Sequence, residues 1–163
     1  MTNSPRSADS SPAPSSTAPS AVHNSNPFNR RVIEEFRRNA GRVGGQFAGT
    51  SLLLLTTRGA RSGLPRTTPL VHLRDGDRLL VFASNGGAPV APAWFHNLTA
   101  APDDVVVEVG TERYPVRARL VDESEHDAVW ARQIAVDPQF ADFRERARQA
   151  GRTTPVVALE RIS

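Results

Sequence analysis

Hydrophobic and polar positions change period several times along this chain, and each change marks an element. Phe28, Val32, Ile33 and Phe36 recur at helical spacing among Arg30, Arg31, Glu34, Arg37 and Arg38, which predicts an amphipathic helix beginning at Pro27 and ended by Gly41, Gly44 and Gly45. Ser51 to Thr57 is a short apolar run bounded by turn residues and reads as a buried strand. Thr67 to Arg74 and Asp77 to Ala83 flank Asp75-Gly76, a pair that tolerates the positive φ of a tight turn, so two antiparallel strands are predicted there. Pro92 to Leu98 suits a short helix, because proline is preset for a first turn and Trp94, Phe95 and Leu98 fall at helical spacing.

A second hairpin is predicted around Gly110, joining Val105–Val109 to Tyr114–Val121. Along the latter strand Val116, Ala118 and Leu120 alternate with Arg117, Arg119 and Val121, which puts two arginines on the polar face. Asp122 followed by Glu125 has the spacing of a helix-start capping pair, and Trp130, Ala131, Ile134 and Ala135 supply that helix with an apolar face. Another helix runs from about Pro138 to Ala150, and Thr154 to Ile162 is a largely apolar final strand. Hairpins dominate and no regular βαβ alternation occurs, so the expected fold class is α+β, an antiparallel barrel-like sheet with flanking helices.

Composition sets the domain boundary. The 163 residues suffice for one core, but the first 27 contain eight Ser, five Pro and four Ala, with Val22 the only large aliphatic residue after Met1. A disordered tail is expected over 1–27 and a folded domain over 28–163. That start has no basic-then-apolar signal pattern. The longest apolar runs, Leu52–Leu55 and Leu79–Ala83, fall far short of the roughly 20 residues that span a bilayer, so a cytoplasmic location is expected, with membrane contact at most peripheral.

The chain has no cysteine, and its 20 basic residues are all arginine. Disulfides, thiol nucleophiles, thiolate metal sites, Schiff-base chemistry and a phosphate-binding P-loop lysine are thereby excluded. The net charge is only +3 although the sequence pI is about 10.8, because almost nothing here loses a proton between pH 8 and pH 12. Acids interleave with the arginines, which argues against a nucleic-acid track.

The densest chemical candidate is Arg58-Gly59-Ala60-Arg61-Ser62-Gly63-Leu64-Pro65-Arg66, where glycines free backbone N–H groups, Ser62 offers a hydroxyl and guanidinium forks match phosphate or carboxylate oxygens. A solvated hairpin loop is the plain alternative. Ala83-Ser84-Asn85-Gly86-Gly87-Ala88-Pro89 is a second glycine-bearing turn, but it does not form a dinucleotide fingerprint. The histidines His23, His72, His96 and His126 show no metal-ligand spacing, so no metal is expected, and no G-x-S-x-G elbow occurs. His23 falls in the expected tail and His126 on a helix surface. Phe140 and Phe143, with Ala147 beyond, have a spacing that serves core packing or a cover over a planar ligand.

Leu53 to Leu70, spanning Thr56-Thr57-Arg58-Gly59-Ala60-Arg61-Ser62-Gly63-Leu64-Pro65-Arg66-Thr67-Thr68-Pro69, resembles the first core motif of the deazaflavin-dependent nitroreductase family. Ala83-Ser84-Asn85-Gly86-Gly87, Pro92-Ala93-Trp94-Phe95-His96-Asn97-Leu98 and Arg152-Thr153-Thr154-Pro155-Val156-Val157 resemble its later motifs in the same order, so the likeness covers about 27–162. The resemblance implies a split β-barrel binding coenzyme F420, a deazaflavin carrying a phosphate and a polyglutamate tail, with hydride transfer to a quinone, nitroaromatic or similar conjugated acceptor. By the same resemblance the cofactor contacts Ala60, Arg61 and Ser62; Arg66, Thr67, Thr68, Pro69, Leu70 and Val71; Phe82, Ala83, Ser84 and Asn85; and Ala93, Trp94, Phe95, His96 and Asn97. Arg61 and Arg66 are expected at the phosphate and charged tail, with Ser62 and Ser84 as donors and Trp94 shaping the pocket. Arg58 and Arg117 are further candidates for the tail.

Ser84 and His96, with His72, are candidate proton sources, and Phe140 and Phe143 are candidates for the substrate pocket. Nitroreductase-like members are rich in tyrosine before the final strand, where this chain reads Asp137-Pro138-Gln139-Phe140-Ala141-Asp142-Phe143, and phenyl rings stack but donate no proton. Asn85 stands where some relatives have lysine. An FMN-using split-barrel oxidoreductase and a non-catalytic module for a planar ligand are the competing readings.

Overall fold

The computed structural model describes residues 22–162. Six strands form a closed antiparallel barrel: β1 (Leu52–Arg58), β2 (Pro65–Asp75), β3 (Arg78–Phe82), β4 (Val105–Val109), β5 (Glu112–Leu120) and β6 (Val156–Arg161), joined around the ring in the order β1-β2-β3-β6-β5-β4. Four helices flank it: α1 (Pro27–Arg38), α2 (Ala93–Ala100), α3 (Glu123–Val136) and α4 (Gln139–Gln149). The expected α+β split β-barrel with flanking helices is what the chain forms.

The alternation of strand side chains sorts the core into an inside and two outsides. Leu53, Leu55, Leu79, Val81, Val105, Val107, Val116, Val157 and Leu159 fill the barrel, and α2 closes it with Trp94 and Leu98. On one outer face Leu52 and Leu54 pack against Val32, Ile33 and Phe36 of α1. On another, Leu80, Phe82, Val156 and Ala158 meet Val129 and Trp130 of α3 and Phe140 of α4. Leu52–Leu55 is therefore one continuous apolar run because both of its faces are covered.

Several local expectations are corrected. Of the expected tail, residues 1–21 lie outside the described residues, whereas 22–27 are structured: the Thr67 N–H donates to the His23 carbonyl at 2.9 Å and the Asn24 amide donates to the Thr67 carbonyl at 2.8 Å. Asn26 caps α1 through the Asn29 N–H at 3.0 Å, and Pro27 is already helical. Low apolar content did not stop this segment from ordering, because β2 supplied backbone partners and α1 needed a cap.

The Asp75 hairpin turns one residue later than expected. Asp75 pairs with Arg78 and Gly76 takes the positive φ of 61°. The Asp122–Glu125 capping pair does not form, since Asp122 makes no side-chain cap and the Glu125 carboxylate accepts from the Arg78 guanidinium at 2.9 Å instead. In α3 the bulk of Trp130 selects the buried stripe, which runs through Val129, Gln133 and Ile134 and leaves Ala131 and Ala135 exposed. Leu120 is 52% exposed at the strand end while Val121 turns inward to the α3 cluster, the reverse of the alternation read from sequence.

A paired charge joins α1 to the barrel wall. The Arg37 guanidinium donates to both oxygens of the buried Glu108 carboxylate, at 3.0 and 2.8 Å. Arg37→Ala leaves that carboxylate buried without its fork, and urea unfolding of this variant is expected to show a loss of about 3 kcal/mol.

Candidate functional site

Strand register brings three motifs to one end of the barrel. β1 leaves at Arg58 opposite Pro65, where β2 begins; Thr57 lies beside Val105, the start of β4; and β3 leaves at Phe82 opposite Val156, the start of β6. The arginine loop 59–64, the turn 83–88 and α2 therefore share one rim. Beside α2 opens a groove of about 990 Å³. One side is built by Gly59, Ala60, Arg61, Ser62, Arg66 and Thr68, another by Ala93, Trp94, His96 and Asn97, and the last by Val22–Ser25 with Arg30.

The loop is held by its own backbone. The Gly59 N–H donates to the Leu64 carbonyl and the Gly63 N–H to the Gly59 carbonyl, each at 2.8 Å, and Ser62 Oγ accepts from the Leu64 N–H at 3.1 Å. That bond uses an oxygen lone pair, so the Ser62 hydroxyl proton is not committed by it. A Cβ at Gly59 would lie 2.6 Å from Ser62 Oγ and would displace that hydroxyl from the Leu64 N–H. Buried Asn97 ties the loop to α2 and β1: its Oδ1 accepts from the Ala60 N–H at 3.0 Å, and its Nδ2 donates to the Thr57 hydroxyl at 3.3 Å.

Charge pairing divides the arginines. Arg58 is bound to Asp104, and Arg117 to Asp103 at 2.7 Å, so these two expected tail ligands are already neutralised. Arg61 has no carboxylate partner among the described residues, and Arg66 reaches only the Pro65 carbonyl, at 3.5 Å. The groove lining holds three arginines, two histidines and no Asp or Glu. Guanidinium charge in a concave, acid-free wall concentrates a positive potential that favours an anion.

The turn after β3 is held by a different device. Arg152 donates to the carbonyls of Ala83 at 2.9 Å, Ser84 at 2.8 Å and Ala88 at 2.8 and 3.1 Å. Burial pushes its pKa down, and carbonyl dipoles rather than a carboxylate offset its charge. Gly87, at φ +84°, lets the turn press on α4: a Cβ there would meet Arg146 Cβ at 2.9 Å and the Phe143 carbonyl at 3.0 Å.

Among the residues expected to bind cofactor, Ala60, Arg61, Ser62, Arg66, Thr68, Ala93, Trp94, His96 and Asn97 line the groove. The others do not line it. Thr67 faces Thr56, hydroxyl to hydroxyl at 2.9 Å; Pro69 lies opposite Leu54, Leu70 packs on the barrel core and Val71 on the α1 cluster; Phe95 is half-buried against the barrel core. Phe82, Ala83, Ser84 and Asn85 lie along the neighbouring stretch of rim, with Ser84 buried and the Asn85 amide donating to the Val90 carbonyl at 3.1 Å.

Phe140 and Phe143, proposed from sequence as substrate-pocket residues, sit instead in an aromatic cluster outside the barrel, with ring centroids 5.2 Å apart and Phe140 5.8 Å from Phe82. Steps of three and four residues place Phe140, Phe143 and Ala147 along one inward-facing stripe of α4. His126 is half-buried, with Nε2 2.9 Å from the Thr154 carbonyl. His72 lies opposite Val81, a barrel-core residue, and is buried away from the groove. Burial and the Arg74 charge lower its pKa to about 4. Sequence reasoning missed Val22–Ser25, Arg30 and the Arg152 clamp; the Asn26-Pro27 helix-start signal was the available sign that chain order begins before residue 28.

Comparison with known proteins finds relatives of this chain in sequence and in fold. A family model for F420H(2)-dependent quinone reductase matches residues 28–161. A Mycobacterium tuberculosis protein named F420H(2)-dependent quinone reductase is 41% identical over 129 residues, which cover 77% of this chain and 85% of that protein. The solved structure of an F420-H2 dependent reductase, FDR-A, superposes with a TM-score of 0.59 at 31% identity, covering 68% of this chain and 94% of its own. A second structure, described as a domain-swapped dimer, gives a TM-score of 0.62 at 28% identity, covering 82% and 97%. No helix among the described residues is long and apolar enough to cross a membrane.

Two outcomes follow from the local bonding. Arg152→Lys replaces a fork by a single ammonium that cannot reach three carbonyls, so amide exchange of 83–88 is expected to speed up by at least about tenfold while β1 and β4 exchange unchanged. His72 is neutral in the folded chain and protonates when unfolded, so unfolding free energy is expected to fall as pH drops from 6.5 to about 4 and then to level off for this group. The loss is on the order of 3 kcal/mol, and in calorimetry His72→Gln removes that slope.

Proposed function

The chain belongs to the F420H(2)-dependent quinone reductase family and is an F420H2-dependent oxidoreductase, and on that premise we propose that the arginine-lined groove is where it holds its cofactor. The observation that carries this reading is the groove's acid-free lining, with Arg61 and Arg66 unneutralised beside Trp94. A phosphate and a run of carboxylates require such a wall, and Arg forks bind both in two-point fashion. The FMN alternative is not needed, since the family is F420H2-dependent.

When bound, coenzyme F420 supplies the hydride, and a quinone is the acceptor class that the family implies. The protein's part is to bind, orient and exclude water. Arg61 and Arg66 anchor the anionic end, with the uncommitted Ser62 hydroxyl proton as a further donor. Trp94, 6% exposed and fixed in the barrel core, gives the groove a rigid aromatic wall that does not reorganise during the reaction. Reduction of a quinone by hydride also consumes a proton. His96, exposed on α2 and lining the groove, is the side chain placed to pass one from solvent, whereas the buried Ser84 is not. The Phe140–Phe143 pair supports the rim from behind, so acceptor choice rests with the groove walls and not with these rings.

Titration with F420, followed by Trp and cofactor fluorescence, tests the reading. Arg61→Ala and Arg66→Ala are each expected to weaken binding by about tenfold or more, with the double variant losing most of the salt dependence and kcat at saturating cofactor nearly unchanged. Binding that survives in the double variant would place the anionic end elsewhere.

A further inference from the structure

The segment before α1 carries groove residues, although its sequence, Val22-His23-Asn24-Ser25-Asn26, is polar apart from one valine and belongs to no recognised motif. It is fastened at both ends. Thr67 exchanges backbone and side-chain bonds with His23 and Asn24, so the segment lies along β2 like a short added strand. From the other side, Arg30 Nη1 donates to the carbonyls of Val22 at 3.1 Å and Asn24 at 3.0 Å, and Asn26 ends the segment by capping α1. These bonds hold His23, at the centre of the strap, in the groove wall formed with Arg66 and Thr68.

We propose that Val22–Ser25 is a strap that completes the cofactor groove, and that His23 is a specificity-determining residue recognising the anionic tail of the cofactor. The inference rests on the proposed placement of F420 in this groove. It adds a recognition element from a part of the chain to which no motif assigns one.

The surroundings of the imidazole support a role toward an anion. Partial burial first, and then repulsion from Arg37 of α1, Arg66 of β2 and Arg113 of β5, lower its pKa from the usual histidine value. Arg30 of α1, Arg61 of the loop and His96 of α2 line the same groove, whose described lining holds no acid, and Arg37 itself is bound to Glu108 of β4. A polyanion entering the groove cancels that repulsion, so His23 gains a proton as the tail docks. Affinity then rises as pH falls through the interval between the free and the bound pKa, because the protonated form binds more tightly.

The experiment compares wild-type protein, His23→Ala and His23→Gln for binding of intact F420 and of a deazaflavin lacking the phosphate and glutamyl tail. Calorimetry in two buffers of different ionisation enthalpy reads proton uptake, and thermal melts confirm that the variants fold. Expected for His23→Ala is about tenfold weaker binding of intact F420, with binding of the tailless deazaflavin unchanged. His23→Gln keeps a hydrogen-bond donor and is expected to bind within about threefold of wild type at pH 8, yet to show neither proton uptake nor the gain in affinity toward pH 6. Equal loss for both ligands, no loss for either, or a fall in kcat with tail binding intact overturns the inference alone. Absence of F420 binding by the wild-type protein overturns the placement of the cofactor as well.

Discussion

Closure of the barrel is the constraint on which everything else depends. Each strand hydrogen-bonds to two neighbours, β1 with β2 and β4, β3 with β2 and β6, β5 with β4 and β6, so no strand can slide without breaking two ladders. A one-residue slip would also exchange the barrel interior for its surface. With register pinned in this way, the loops leaving one end are placed relative to one another almost without help from their own sequences. Arg58, Phe82 and Val105 end or begin strands at the same rim, and the arginine loop, the Arg152-clamped turn and α2 follow from that.

Chemistry then depends on which arginines have already been claimed. The chain uses a guanidinium wherever it needs a cation, and most are occupied: Arg37 by Glu108, Arg58 by Asp104, Arg117 by Asp103, Arg78 by Asp75 and Glu125, and Arg152 by four carbonyl contacts. The exposed pairs among these, Arg58–Asp104 and Arg117–Asp103, contribute little stability. Their larger effect here is subtraction: with Arg58 paired to Asp104 and Arg117 to Asp103, the described arginines that line the groove without a carboxylate are Arg61, Arg66 and Arg30, the last held by backbone carbonyls. Arg61 is placed by the loop closure and the Asn97 tie and Arg66 by its pairing with Thr57 in the β1–β2 ladder, rather than by ion pairing, which keeps their charge available to a ligand.

The elements were legible in the sequence to the extent that their periodicity was local. Amphipathic spacing in α1, alternation in β5 up to Ala118, the Gly110 turn and the loop between β1 and β2 stand as their residues indicate, and the hairpin read at Asp75-Gly76 forms one residue later. What misled was context. Glu125 sits at capping distance from Asp122 but is drawn across to Arg78, and Phe140 and Phe143 have a ligand-cover spacing but find Phe82 and Trp130 on the adjoining helix and strand. The Val22–Asn26 segment looked unable to fold because Val22 is its one apolar residue, yet its order comes from bonds to Thr67 and from the Arg30 guanidinium, partners 6 to 44 residues away, with Val22 packed on the α1 cluster.

By itself the sequence determined the class of fold, the anion-matching chemistry of the 58–66 loop and, through its motifs, the family. These are set by short-range pattern: side-chain period, turn chemistry and residue type. Only the tertiary structure decided which arginines remain unpaired, that the segment around His23 belongs to the groove, that Arg152 holds the turn after β3, and that Phe140 and Phe143 do not line the groove. Each of those is a long-range pairing. A guanidinium or an aromatic ring carries no mark in the sequence of the partner that barrel closure will bring to it.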